Sequence, residues 1–162
     1  IALDVDGTLT NGEITYNTEG VETKSFSVKD GLAITSWIRL GKRAAFITGR
    51  NSKVVERRAK ELGITYVYQN CKQKDVALEE IAKKEGIKVS QIAAIGDDLN
   101  DYKILKKCGL SFAPSNSSSD ILDIVQYKLT SSGGDGAVRE MIEIILKKDG
   151  LYEKFLKLWT ED

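Results

Sequence analysis

The sequence predicts a three-layer α/β fold: a doubly wound parallel sheet with a β-hairpin insertion and no cap domain. Three observations predict it. Short apolar runs recur along the chain, beginning with Ile1-Ala2-Leu3. Helical patterns separate these runs, and Gly41, Gly63, Gly86 and Gly109 each stop one helix. Residues able to do chemistry fall where the strands end, which is where open α/β sheets place their ligand sites.

The elements follow in order. After the first strand, Ile14-Thr15-Tyr16 and Val21 to Val28 flank Asn17-Thr18-Glu19-Gly20. β-Branched and aromatic residues around a glycine-containing turn predict a hairpin over 14–28. Gly31 to Leu40 reads as a helix, Arg43 to Thr48 as a strand, and Ser52 to Leu62 as a helix capped at Asn51 or Ser52. Thr65 to Tyr68 is a strand and Lys74 to Glu85 a helix. Ile92 to Ile95 is a strand and Asn100 to Lys107 a helix. Leu110 to Ala113 and Gln126 to Leu129 are short strands around a helical turn. Ala137 to Lys147 carries Val138, Ile142, Ile145 and Leu146 on one helical face. Leu151 to Trp159 is a short amphipathic segment within a tail over 150–162. Ser131-Ser132-Gly133-Gly134-Asp135-Gly136 is a loop. Strands alternating with helices in this way imply a parallel sheet. No stretch is long enough for a second domain, so residues 1–162 are expected to form one.

Composition excludes several functions. The chain has 162 residues with 24 Lys+Arg against 24 Asp+Glu, so a basic surface for nucleic acid or anionic lipid is not expected. No apolar run could span a bilayer and no signal peptide is visible, which predicts a cytoplasmic protein. The chain opens directly in a strand, so upstream residues are expected. Cys71 and Cys108 have no metal-binding spacing and are expected to be reduced thiols. Histidine is absent, which removes Ser-His-Asp and Cys-His catalysis and histidine metal sites.

Four segments carry chemistry. Asp4-Val5-Asp6-Gly7-Thr8 follows the first strand. It puts an anionic nucleophile, a proton donor and backbone N–H groups in one small space, which suits phosphoryl transfer through an aspartyl-phosphate. Ile47-Thr48-Gly49-Arg50 ends the second strand. Lys74 opens a helix, with Lys72 two residues away as the alternative register. Gly96-Asp97-Asp98-Leu99-Asn100-Asp101 follows Ile95. Taken singly, each has a plain structural reading: Asp and Gly as turn residues, Thr48 as a helix cap, Lys74 as a solvated helix residue, Asp101 as a first-turn charge. Together and in order, they point to one site.

These four segments resemble the haloacid dehalogenase superfamily, whose pattern is D-x-D-G-T, a strand-end Ser/Thr, a Lys, then G-D-D-x-x-D. Ser25-Phe26-Ser27-Val28-Lys29-Asp30-Gly31, Ile47-Thr48-Gly49-Arg50 and Gly133-Gly134-Asp135-Gly136-Ala137-Val138-Arg139-Glu140 are similar to the cap-less 3-deoxy-octulosonate 8-phosphate phosphatases of lipopolysaccharide synthesis. They are shared with relatives acting on nonulosonate 9-phosphates. The resemblance implies Asp4 as nucleophile and Asp6 as general acid and then base. It implies Mg²⁺ held by Asp4, the Asp6 backbone carbonyl and Asp97. Thr48 and Lys74 would bind the transferring phosphoryl oxygens with N–H groups near Gly7 and Gly49. Arg50 would meet the phosphate or the sugar-acid carboxylate, and Asp98 and Asp101 would orient the ligands and Lys74. It further implies a homotetramer built through the hairpin, with the Gly-rich loop and tail near a neighbouring subunit's site. Clustered carboxylates beside a phosphate dianion require compensating cations, a role that Mg²⁺ and Lys74 would fill.

The competing functions are the same chemistry on a nonulosonate 9-phosphate or other small sugar phosphate, and a non-catalytic receiver-like or oligomerising domain. A receiver carries its acidic pair on the first strand and its phosphoacceptor on a later one. The Asp4-x-Asp6-Gly-Thr spacing favours hydrolysis instead.

Overall fold

The computed structural model describes residues 1–161, so the last residue of the 150–162 tail lies outside the described residues. The elements in chain order are β1 (Ala2–Leu3), β2 (Thr15–Tyr16), β3 (Glu22–Thr23), α1 (Val28–Arg39), β4 (Ala45–Ile47), α2 (Lys53–Leu62), β5 (Tyr66–Tyr68), α3 (Lys74–Glu85), β6 (Ala93–Ile95), α4 (Tyr102–Lys107), β7 (Leu110–Ala113), α5 (Ser119–Leu122), β8 (Tyr127–Lys128), α6 (Ala137–Lys148) and α7 (Tyr152–Thr160). Six strands form one parallel sheet in the order β5-β4-β1-β6-β7-β8. Leu3 pairs with Phe46 on one side and Ile95 on the other. The central β1 is the switch point, with later strands added first to one side and then to the other.

Both sheet faces are buried, and strand alternation sorts the side chains between them. Leu3, Phe46, Ile95 and Phe112 face a core shared with α1, α2, α6 and α7. Ala2, Ala45, Ile47, Ala94 and Ala113 face a second core shared with α3, α4 and α5. The strand alanines on that second side meet Leu78, Ile81 and Leu105. The layers are therefore helix, sheet and helix, as the alternating pattern predicts.

Three boundaries differ from those expected. The hairpin pairs only Thr15 with Thr23 and Tyr16 with Glu22. Its second strand does not run to Val28, because Ser27 caps α1 by accepting the Lys29 N–H at 3.2 Å. The helix accordingly starts at Val28 and contains Gly31, where a Cβ would overlap the Arg58 guanidinium. Asn100 to Lys107 is divided into a 3-10 turn, Leu99–Asp101, and α4. β8 is two residues long because side-chain bonds replace its ladder at Gln126: Ser111 N donates to Gln126 Oε1 at 3.0 Å, and Gln126 N donates to Ser111 Oγ at 3.1 Å.

α7 packs on its own chain, with Phe155 buried in the first core and Trp159 Nε1 donating to Ser36 Oγ at 2.8 Å. Among the described residues no helix is long and apolar enough to cross a membrane.

Candidate active site

β1 delivers Asp4 to the carboxyl edge of the sheet, where Asp4 N donates to Ile95 O at 3.2 Å. The chain then winds into a tight turn in which Leu9 N and Thr10 N donate to Val5 O at 2.9 and 3.0 Å. Gly7 has a φ of +95°, and a Cβ there would overlap the Asp97 carboxylate. Glycine therefore allows the turn after β1 and the turn after β6 to share this space. Its N–H donates to Thr10 Oγ1 at 3.2 Å, so the turn uses that donor internally.

Lys74, the first residue of α3, reaches across this edge. Its Nζ lies 2.5 Å from Asp4 Oδ1 and 2.6 Å from Asp101 Oδ1. Lys72 is exposed, and of the two lysines it is Lys74 that meets Asp4. Asp101 Oδ2 accepts from Asp97 N at 3.2 Å and so ties the β6 turn to the lysine. Asp4, Lys74 and Asp101 are all buried, and Asp4 Oδ2 has no hydrogen-bond partner. Asp4, Asp97 and Asp101 each offer a carboxylate oxygen, and these atoms lie within 4.8 Å of one another.

The electrostatics follow from one cation among three carboxylates. Burial pushes all three acids up; Asp101 adds to the rise at Asp4 and Asp97, and Lys74 opposes it. Asp97 is raised to about 6. Burial opposes the Lys74 ammonium, but Asp4 and Asp101 outweigh it and hold the lysine charged. The pocket is thus short of positive charge, as expected of a cation site with hard oxygen donors.

Thr48 is buried at the end of β4. Its Oγ1 accepts from Arg50 N at 3.3 Å and donates to Asp6 Oδ2 at 3.4 Å. Thr48 therefore both closes its own turn and faces Asp6. Gly49 has open space around it. Arg50 points to the hairpin, where Nη2 lies 2.6 Å from Glu22 Oε2. Asp98 departs from expectation: it is exposed, it caps the following 3-10 turn by accepting from Leu99 N at 2.8 Å, and the lysine's carboxylate partners are Asp4 and Asp101.

Sequence reading missed two residues. Lys24 Nζ contacts Asp6 Oδ1 and lies 3.3 Å from Glu22 Oε1. No local pattern connects Glu22 and the residue two positions on to partners 28 and 18 residues away. The Gly-rich loop also closes on its own chain: Gly134 N donates to Thr8 O at 3.0 Å, and Asp30 Oδ1 accepts from Arg139 N at 2.8 Å.

Residues 66–142 match the haloacid dehalogenase-like hydrolase family. Over 150 residues the chain is 37% identical to the 3-deoxy-D-manno-octulosonate 8-phosphate phosphatase KdsC of Escherichia coli strain K12, covering 93% of this chain and 80% of that protein. The chain belongs to the haloacid dehalogenase-like hydrolases. Within that family it is similar to the crystal structure of 3-deoxy-D-manno-octulosonate 8-phosphate phosphatase from Moraxella catarrhalis in complex with magnesium, phosphate and KDO. The identity is 43% and the TM-score 0.95, over 98% of this chain and 91% of that one. The cobalt-bound phosphatase of Haemophilus influenzae gives a TM-score of 0.91 at 36% identity, over 95% of this chain and 90% of that one. The expected superfamily and fold are both borne out.

Proposed function

We propose that this chain is a Mg²⁺-dependent phosphomonoesterase that hydrolyses 3-deoxy-D-manno-octulosonate 8-phosphate to 3-deoxy-D-manno-octulosonate and phosphate, in lipopolysaccharide synthesis. The observation that carries the reading is Asp4: a buried carboxylate with one oxygen on Lys74 and the other unpartnered, at the edge where the Asp97 and Asp101 carboxylates come within 4.8 Å.

The residues fit the cation. The unpartnered Asp4 oxygen and the raised acids form an oxygen donor set whose charge Lys74 compensates only in part. The Asp4 and Asp97 carboxylates and the Asp6 backbone carbonyl would hold Mg²⁺. When bound, Mg²⁺ neutralises charge on the transferring phosphoryl oxygens. Asp4 attacks phosphorus, and the bond to the ester oxygen breaks with its electron pair on that oxygen. Asp6 supplies the proton that the leaving oxygen takes. Asp6 then accepts a proton from water as the water oxygen attacks phosphorus and the Asp4–phosphorus bond breaks. Lys74 and the Thr48 hydroxyl hold phosphoryl oxygens. The open space at Gly49 leaves a path for the sugar acid beside Arg50.

The reading extends to a homotetramer built through the hairpin, whose Ile14, Tyr16 and Val21 are exposed at 39%, 58% and 54%. A cytoplasmic location suits a charged substrate that cannot enter a bilayer. The deciding experiment is Mg²⁺-dependent phosphate release from 3-deoxy-octulosonate 8-phosphate, a nonulosonate 9-phosphate and a panel of sugar phosphates. Asp4→Asn and EDTA serve as controls. The octulosonate ester is expected to be turned over best, with both controls dead. Activity centred on another ester would overturn the named substrate.

A further inference from the structure

Lys24 is a buried cation to which the reading above gives no role. Its side chain is 1% exposed although it belongs to a two-stranded surface hairpin. Lysine is ordinarily left in water, and a buried ammonium is costly unless well paired. The pairing here is specific. Lys24 Nζ contacts Asp6 Oδ1 and lies 3.3 Å from Glu22 Oε1, while Glu22 Oε2 lies 2.6 Å from Arg50 Nη2. The hairpin therefore grips two strand-end turns, one through Arg50 and one through Asp6.

The Glu22–Arg50 pair ties the hairpin to the edge without Asp6, with the Arg50 side chain 44% exposed. The buried Lys24 contact falls instead on the carboxyl to which the proposed function gives the proton exchange. Lys24 takes Oδ1, and Oδ2 is left facing Thr48 Oγ1 at 3.4 Å, the hydroxyl to which the proposed function gives the phosphoryl group. A carboxyl group on a short side chain has two rotations to lose, and a partner on each oxygen restrains them.

We propose that Lys24 is a positioning residue for the Asp6 proton transfer: it fixes the carboxyl so that Oδ2 meets the ester oxygen, and Glu22, held by Arg50, fixes Lys24. The proposal rests on the phosphatase reading above. In the step it serves, an Asp4 oxygen bonds to phosphorus, and the bond from phosphorus to the ester oxygen breaks with its electron pair on that oxygen. The proton on the Asp6 carboxyl passes to it. Lys24 itself gains and loses no proton.

The test compares leaving groups. kcat/KM covers events up to and including phosphoryl transfer, so later hydrolysis of the intermediate does not enter it. Three esters are measured with Mg²⁺: 3-deoxy-octulosonate 8-phosphate, the neutral sugar phosphate that the wild type turns over fastest, and p-nitrophenyl phosphate. Lys24→Met is expected to lower kcat/KM on both sugar esters by about 10- to 100-fold, the scale of a misplaced catalytic group. p-Nitrophenyl phosphate should stay near wild type, because nitrophenolate departs without a proton. Lys24→Arg should recover part of the loss, and Glu22→Gln should show the same pattern in smaller measure. Equal losses on all three esters would overturn the proposal in favour of a structural or phosphate-binding role. A loss confined to the sugar acid would overturn it in favour of carboxylate binding. If Lys24→Met does not fold, Glu22→Gln carries the same comparison. A wild type inert toward all three esters would instead remove the phosphatase reading, and this proposal with it.

Discussion

The Lys74 ammonium lies 2.6 Å from Asp101 Oδ1, with 2% and 1% of the two side chains exposed. Asp4 Oδ1 is on the same nitrogen at 2.5 Å. Lys74 is thus the cation that lets two buried acids coexist at a strand edge, and the proposed function gives the same ammonium the phosphoryl oxygens to hold.

Replacing Lys74 by Met is expected to abolish turnover and to destabilise the metal-free protein by about 3–5 kcal/mol, the usual cost of stranding a buried charge. The loss should depend on pH. Burial already raises both neighbouring acids, Asp101 adds to the rise at Asp4, and they neutralise as pH falls. Thermal unfolding should therefore show a large deficit at pH 8 and a smaller one at pH 5. An equal deficit at both would mean that the pair contributes packing rather than charge.

Asp4→Asn tests the nucleophile from the opposite direction. The amide keeps the shape, removes the attacking oxygen and takes one negative charge from a crowded cluster. Turnover should be lost while the midpoint of thermal unfolding without metal stays equal to the wild type or rises. Retained turnover in this variant would exclude the covalent route.

Much of this site was legible because its residues lie where apolar strands stop, and strand ends are readable from local pattern. Asp4, Thr48 and Asp97 are each reached within a few residues of a buried run. Lys74 was legible because it begins a helix whose existence the Gly86 stop already implies. Lys24 and Glu22 were not, since their partners Asp6 and Arg50 are 18 and 28 residues away and meet them only when the hairpin folds over the edge. Asp98 and Asp101 look equivalent in the run Asp97-Asp98-Leu99-Asn100-Asp101. A 3-10 turn decides between them, turning Asp101 inward and leaving Asp98 outside as its cap. The start of α1 was misplaced for a similar reason, because Gly31 looked like a boundary and Ser27 is the cap.

Asp97 is expected to set a pH dependence for metal binding. Burial, then the Asp101 charge, raises it from the usual carboxylate range to about 6. A raised carboxyl favours folding in its protonated form, so its contribution to metal-free stability is present at low pH and is lost as pH rises toward 6. Mg²⁺ requires the ionised form and releases the proton on binding. The gain in unfolding temperature produced by Mg²⁺ should therefore be small at pH 5, rise through pH 6 and level off above 7. A gain that is constant from pH 5 to 8 would remove Asp97 from the donor set.

The hairpin predicts an assembly. Tyr16 and Val21 stay more than half exposed while the opposite edge, through Glu22 and Lys24, is tied to the site. Sedimentation should give a tetramer for the wild type, and Tyr16→Lys should shift it toward smaller species at equal concentration. A wild-type monomer would contradict the hairpin assembly.

Two glycines near the catalytic turn should respond differently to a single methyl group. At Gly133 a Cβ would overlap the Gly7 carbonyl oxygen and crowd Thr10 O, both rigid backbone atoms in the turn that carries Asp6. Backbone cannot step aside as a side-chain end can, so either the Gly-rich loop lifts or the turn shifts. Gly133→Ala should cost about 1–3 kcal/mol, the range for overpacking, and lower activity through the displaced turn. At Gly49 a Cβ meets nothing within 4 Å, and its φ lies outside the left-handed region. Gly49→Ala keeps the backbone N–H and should leave the unfolding temperature at or slightly above the wild type, because alanine reduces the freedom of the unfolded chain. Any loss of activity at Gly49 is then a statement about substrate passing over that space, separable from stability by comparing KM with kcat. If Gly49→Ala unfolds as readily as Gly133→Ala, the edge beside Thr48 is more tightly packed than this geometry implies.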